Sequence, residues 1–453
     1  MKDLTQGRPL KLIFWFAIPL LLGNLFQQFY NIADTRIVGQ FLGEESFAAV
    51  GATSSLNNTI IGFLNGLTTG FGLMTARFFG ARDGENVKQT VAATLVLGFI
   101  TAAVLTLFSL IFLDPLLHAI NVGDEIFANS RRYISIILAG MAVTMCYNIA
   151  AALMRAVGDT VMPLIFLVVS AIANIGLDLL FICVFGMGVE GAAYATLISQ
   201  SISVVLCIRY MFTRHTELLP GRRHFRFSRS LAVDMYAQGA SMGLMCSLVS
   251  IGSLVMQGAI NDLGTETIAS HAASRKISEM FMTPIQVFGA AAANFGGQNY
   301  GAGRFDRVRK GFYDATLLAW IWSAVTVIAI YTMAPLFIRM ITGMDDQYII
   351  DLSVRYLRFN TPFYIILGIV VVFRNALQGI GVKLFPIVSS FAELTGKFII
   401  STLLAPRIGY RGIIISEPIV WIVMAGILSA GFFTNKELRA GKAPRISHRP
   451  AHA

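Results

Sequence analysis

The sequence predicts an all-α integral membrane protein with twelve spans in two related six-helix halves, and three observations carry this. Of 453 residues, 55% are hydrophobic and 13% are charged, whereas a soluble globular chain carries about 25% charged residues. Mean hydropathy is +0.68. Apolar runs of about 20 residues, the length that crosses a hydrocarbon core, recur along the whole chain, and landmarks of the first half return in the second at a nearly constant offset.

The spans are expected at 10–38, 47–79, 88–113, 128–155, 161–186, 189–213, 231–261, 267–298, 311–338, 352–380, 386–405 and 412–434. The first begins near Lys11. No small-residue cleavage pattern closes it, and polar Gln27, Gln28 and Asn31 follow, so it reads as a retained helix and not a signal peptide. Pro19 inside it removes a backbone hydrogen bond and bends the rod, as a hinge or as a static kink. In the second span Gly62, Gly66 and Gly70 form a stripe of small residues for close helix packing, and GAAAANFGG (289–297) gives the eighth span a similar face. The fifth carries Asn174 and Asp178. Between the sixth and seventh lies RHTELLPGRRHFRFSRS (214–230), a basic tether that helps to fix topology, with anionic lipid headgroups as an alternative ligand. The chain divides into a six-helix lobe (1–213), a cytoplasmic linker (214–230), a second lobe (231–434) and a cytoplasmic tail (435–453).

The repeat is visible in the letters. LGEESFAA (42–49) matches LGTETIAS (263–270), and FGA (79–81) meets YGA (300–302), at an offset of 221. Gly158 and Pro163 of RAVGDTVMP align with Gly381 and Pro386 of QGIGVKLFP, and Gly191 aligns with Gly412. Six helices per half keep both halves the same way up. Basic residues then orient the chain: of 35 Lys and Arg, 24 fall at one set of connectors and eight at the other. By the positive-inside rule both termini are cytoplasmic and the location is the cell membrane. The net charge of +10 is therefore orientation charge in connectors, and no basic face for nucleic acid is expected. Cys146, Cys183, Cys207 and Cys246 lie in apolar runs without zinc or disulfide spacing.

Asn174 and Asp178 project together, being four residues apart on a helix. An ionised Asp at mid-membrane costs several kcal/mol unless paired or hydrated, and Asp34 in NIADTRIVG faces the same difficulty. Such acids either glue helices through hydrogen bonds or bind a proton or a hard cation such as Na⁺. Arg36 does not share a face with Asp34 and snorkels instead to the headgroups. The second half lacks the acid pair. It carries a possible polar network of Arg275, Lys276 and Glu279 in the eighth span and Glu393 with Lys397 in the eleventh, either mutually neutralising or facing substrate.

These residues resemble the multidrug and toxic compound extrusion (MATE) family, within a superfamily that includes lipid-precursor flippases. The resemblance spans the chain through PLLLGNLFQQFYNIADTRIVGQFLG, AAVG, ARFFGARDG, MRAVGDTVMP, NIGLD and GVEGAAYATLIS in that order. It implies two six-helix lobes around a V-shaped cavity, and export of organic cations against inward H⁺ or Na⁺ flow. It further implies a first-lobe ion site made of Asp34, Tyr133, Asn174, Asp178 and Thr196, and a hinge at Pro19. A family branch that places acids on the seventh and tenth helices is not matched, since the seventh has only Asp234 and Asp262 near its ends and the tenth has no acid past Asp351.

The expected function is therefore ion-coupled export of amphipathic, often cationic, drugs by a monomer amid membrane lipids, with no cofactor beyond H⁺ or Na⁺. A flippase for a lipid-linked substrate is the alternative and requires several unpaired Arg in the cavity. A membrane enzyme requires a nucleophile or metal cluster, and no Walker, HExxH or Ser/His/Asp pattern is present. A passive channel fits a two-lobed, chemically asymmetric chain poorly.

Overall fold

The structure is a computed structural model that describes residues 3–343, 346–435, 437 and 438. The expected tail beyond Leu438 lies outside the described residues. All regular structure among them is helical: α1 (Pro9–Gly80), α2 (Gly84–Ile111), α3 (Leu113–Ala119), α4 (Asp124–Ala139), α5 (Met141–Ala156), α6 (Val161–Asp178), α7 (Val189–Arg214), α8 (Arg229–Asn261), α9 (Thr265–Gly301), α10 (Phe305–Thr342), α11 (Gln347–Asn360), α12 (Tyr364–Gly379), α13 (Leu384–Ile399), α14 (Ala405–Ile408) and α15 (Tyr410–Thr434). Nine helices among the described residues are long and apolar enough to cross a membrane, ten if α4 and α5, bent by 48°, form one span. The run α1 is two rods, because Gly43 inside it has φ 83 and ψ 179. The charged α9 is not among the nine.

The repeat is written into the backbone. Gly43 (φ 83) and Gly264 (φ 90) stand 221 residues apart, and each turns one rod into the next through a conformation that a β-carbon disfavours. Gly158 (φ 87) and Gly381 (φ 91) repeat the pattern at the turns before α6 and α13. Helical breaks recur too: Gly140 divides α4 from α5, and the tight turn Thr361–Phe363 divides α11 from α12. After Asp178 the helix widens into a π segment, Leu179–Val184, and after Ile399 into another, Ile400–Leu404.

Each half buries its own core, but the starts of the two halves are exchanged. Leu231 and Met235 of α8 belong to the first half's cluster around Leu67, Ile134 and Leu153. Leu4, Ile13, Phe16 and Ala17 belong to the second half's cluster around Phe295, Phe312 and Leu428. Backbone groups reinforce the second exchange. The Leu4 N–H donates to Gln298 Oε1 at 3.1 Å, and Leu4 O accepts from Asn299 Nδ2 at 3.0 Å. The carbonyls of Thr5 and Gly7 accept from Arg304 and Arg307, both at 2.7 Å.

The halves are sealed at the face that carries the N-terminus. A β-carbon on Gly66 would lie 2.6 Å from Met242 O, and one on Gly70 2.6 Å from Gly239 Cα. The expected small-residue stripe thus lets the backbones of α1 and α8 touch. Gly80 meets the Gln298 backbone and Gly301 the Arg77 carbonyl more closely still. Gln298 Nε2 donates across the seam to Ala156 O at 2.7 Å. Further along the same rods the halves part, leaving a cavity of about 520 Å³ between Ser55–Thr59 of α1 and Ser253–Gln257 of α8. Contact at one face and a gap toward the other is the V-shaped arrangement. Apolar side chains such as Phe29, Ile111, Val184 and Leu384 remain exposed around the molecule, as a lipid-facing surface requires.

Candidate ion and substrate sites

The first centre lies where α1, α4, α6 and α7 converge. The i, i+4 spacing on the last turns of α6 brings Asn174 and Asp178 to one buried face, both with 0% exposure. With its amide nitrogen turned toward Asp178, the orientation its neighbours favour, Asn174 donates to Asp178 Oδ2 at 2.9 Å and accepts from the Thr196 N–H at 3.2 Å. Asp34 of α1 reaches across to Asp178, so that the two carboxyls interact directly. Asp34 Oδ1 and Asp178 Oδ1 are both buried without a partner. Tyr133 of α4 is buried and interacts electrostatically with both acids.

Asp34, Tyr133 and Thr196 line a cavity of about 410 Å³ whose walls also hold Asn31, Asn57, Asn58 and Gln200. The five expected site residues are thus neighbours, with Asn174 and Asp178 behind the wall. The donor atoms are oxygens of carboxyls, amides and hydroxyls, which suit a proton or a hard cation such as Na⁺. Tyr30 was missed by sequence reasoning. It interacts with Asp34, Asp178 and Thr196, and its position one turn before Asp34 was the available signal. Arg36 is exposed. The helix runs unbroken through Pro19, which lines a smaller cavity beside Asn24, Tyr147 and Pro163, while the departure from helical backbone in α1 is at Gly43.

The second centre is polar in a different way. Arg275 of α9 donates to Glu417 Oε1 at 2.6 Å and lies 3.4 Å from Glu279. Tyr356 donates to the other Glu417 oxygen at 2.9 Å. Glu393 receives Lys397 Nζ at 2.9 Å and Arg374 Nη2 at 3.1 Å. Four of the five expected network residues are therefore engaged in two clusters. Lys276 is not in either cluster; it is exposed. Arg374 corrects the connector reading of the sequence: it is buried in α12 and faces Glu393 instead of water. Glu417 was passed over, although an acid inside the last apolar run is the same signal that marked Asp178. His271 sits edge-on to Tyr356 and Tyr410, 3.2 Å from the Tyr410 hydroxyl.

A third cluster lies outside the spans, at the N-terminal face. His215, just after α7, contacts Asp159 at 3.3 Å and Glu217 at 3.0 Å, and Tyr210 donates to Asp159 at 2.9 Å. Burial pushes the Asp159 carboxyl up, but bonds from His215, the Met162 N–H and Tyr210 outweigh it and hold Asp159 below its ordinary value. Burial pushes His215 down, yet Asp159 and Glu217 hold it above its ordinary value. The linker is tied down further along by Arg223 and His224, at 2.9 and 3.2 Å from Glu85.

A sequence model described as MatE matches residues 19–180 and again 242–403. The chain is 26% identical over 388 residues to the "Probable multidrug resistance protein YoeA" of Bacillus subtilis (strain 168), covering 84% of this chain and 83% of that one. It is 23% identical over 419 residues to the "FAD transporter" of Shewanella oneidensis, covering 90% and 91%. A solved structure described as the outward-facing conformation of a multidrug resistance MATE family transporter superposes with a TM-score of 0.86 at 25% identity, covering 97% of this chain and 99% of that chain.

Proposed function

The chain belongs to the MatE family of membrane transporters, whose members are not enzymes, and from that premise we propose a secondary active exporter of amphipathic, often cationic, organic compounds, driven by H⁺ or Na⁺. One observation carries the coupling: the buried Asp34–Asp178 pair with an unpartnered oxygen on each acid. An ion that binds there lies between α1 and α6, and so has unequal affinity for arrangements in which those helices approach or part. Unequal affinity is what coupling requires. Tyr133, Asn174 and Thr196 complete the donor set, for Na⁺ as for a proton. Pro19 is the proposed pivot of α1. The proposal places a monomer in the cell membrane with both termini cytoplasmic, so the sealed face is the inner one and the gap opens outward.

The test is export by the purified chain in liposomes, with Na⁺ and pH gradients imposed separately. Asp178→Asn is expected to insert and bind drug but to lose gradient-driven export by at least tenfold. Undiminished export by that variant overturns the coupling site. The flippase reading needs several unpaired Arg, whereas Arg275 pairs with Glu417 and Glu279, and Arg374 with Glu393. The related FAD transporter extends the proposed substrates to aromatic molecules that bear acidic groups.

A further inference from the structure

The second half holds a cavity of about 530 Å³, lined by Met245, Met282, Trp421 and Met424 together with Arg374, Glu393 and Lys397. The three charged residues are each more than nine-tenths buried. Glu393 spends both oxygens, one on Arg374 and one on Lys397, so two cations share one anion. No other acid in the wall relieves them: Glu417 is held by Arg275 at 2.6 Å and by Tyr356 at 2.9 Å, and Glu279 lies 3.4 Å from Arg275. Arg374 Nε is enclosed without a hydrogen-bond partner. The wall as a whole is balanced, but its charges are divided, and the excess of cations around Glu393 at this end is unfavourable where burial limits solvation. An anion beside Glu393 relieves that excess.

We propose that this cavity is an acid subsite: it binds a carboxylate or phosphate group of an amphipathic molecule on Arg374 and Lys397, with the apolar body against Trp421 and the three methionines. Guanidinium and ammonium groups are the donors that suit such oxyanions, and methionines adapt to varied apolar shapes. The negative end of the same chamber, Glu417 and Glu279 around Arg275, leaves room for a cationic body in the same molecule. The subsite rests on the transporter assignment, yet its test needs no transport.

The probe is a rhodamine free acid beside its own ethyl ester, two dyes that differ only in the carboxyl. Their binding to the full chain in phosphatidylcholine nanodiscs is read by fluorescence anisotropy with no gradient imposed. The acid is expected to bind about tenfold tighter than the ester, since a hydrogen bond to a charged group contributes about that factor. Arg374→Gln erases the preference while ester binding persists, which also reports a folded chain. Glu393→Gln, which removes the competing carboxylate, widens it. Phosphatidic acid doped into the disc separates the sources: displacement of the acid dye assigns the group to a lipid headgroup, and its absence assigns it to a soluble molecule. Equal binding of both dyes by the native chain, unchanged in Glu393→Gln, overturns the subsite. A native chain that keeps the dye preference but exports under neither an Na⁺ nor a pH gradient overturns only the ion-coupled reading.

Discussion

Gly70→Ala is a one-methyl test of the seal between the halves. The added carbon falls 2.6 Å from Gly239 Cα and 2.8 Å from Gln238 O, both backbone atoms that no rotamer change can move aside. Carbon atoms pack at about 3.5–4.0 Å, so α1 and α8 must separate by roughly 1 Å. Overpacking of this kind costs about 1–3 kcal/mol, which shifts the sealed-to-parted equilibrium about 5–150-fold. Gly51→Ala is the control: it lies on the same run of helix with nothing within 4 Å of its β-carbon, and there alanine only favours the helix by about 0.5–1 kcal/mol. Amide hydrogen exchange of the full chain in nanodiscs reads the outcome. Exchange is expected to rise along 66–74 and 237–245 in Gly70→Ala and to stay at the native level in Gly51→Ala. Identical protection in both variants refutes the inference that backbone contact at this stripe holds the face closed.

The second centre makes a stability prediction. Glu417→Ala leaves Arg275 and the Tyr356 hydroxyl without their main partner, and breaking such a pair costs about 3–5 kcal/mol. The melting temperature in detergent is expected to fall clearly, and Arg275→Met added to Glu417→Leu recovers most of the loss. Equal melting of Glu417→Ala and native chain refutes it. The Asp159–His215 latch predicts a pH dependence. The carboxylate, held below its ordinary value, contributes above the ordinary Asp range and is lost as pH falls through the lowered value. The imidazole, held above its ordinary value, contributes fully below that ordinary value and is lost as pH rises through the raised one. Exchange protection of 214–219 is therefore expected to be highest in mildly acidic buffer and to decline above neutrality, a decline that His215→Gln abolishes.

Much of this molecule was legible because lipid makes polar residues conspicuous. Asn174 and Asp178 stand out inside an apolar run, and the same contrast exposed Asp34, Glu393 and Lys397. Tyr133 and Thr196 carry no such contrast; only the family pattern pointed to them, since their value lies in which faces of separate helices meet. Arg374 was misplaced because its position five residues before the end of α12 at Gly379 looks like a connector, whereas its side chain turns back to Glu393. The breaks at Gly140 and Thr361 and the two π segments escaped notice because they alter hydrogen-bond register without altering hydropathy. The small-residue stripe announced a close approach, but its partner at Gly239 and Gly243 became evident only in three dimensions.

The exchange of opening segments, Leu4 to Ala17 into one core and Leu231 to Met235 into the other, bears on ancestry. A lone half-length polypeptide would lack the piece that completes its interior and would expose the piece meant for a sibling. Two identical half-length chains clasped arm in arm satisfy both needs at once, as in domain-swapped dimers. Fusion of a duplicated gene would free each copy to specialise, one around a pair of acids and the other around acids matched with bases, while neither could leave the embrace.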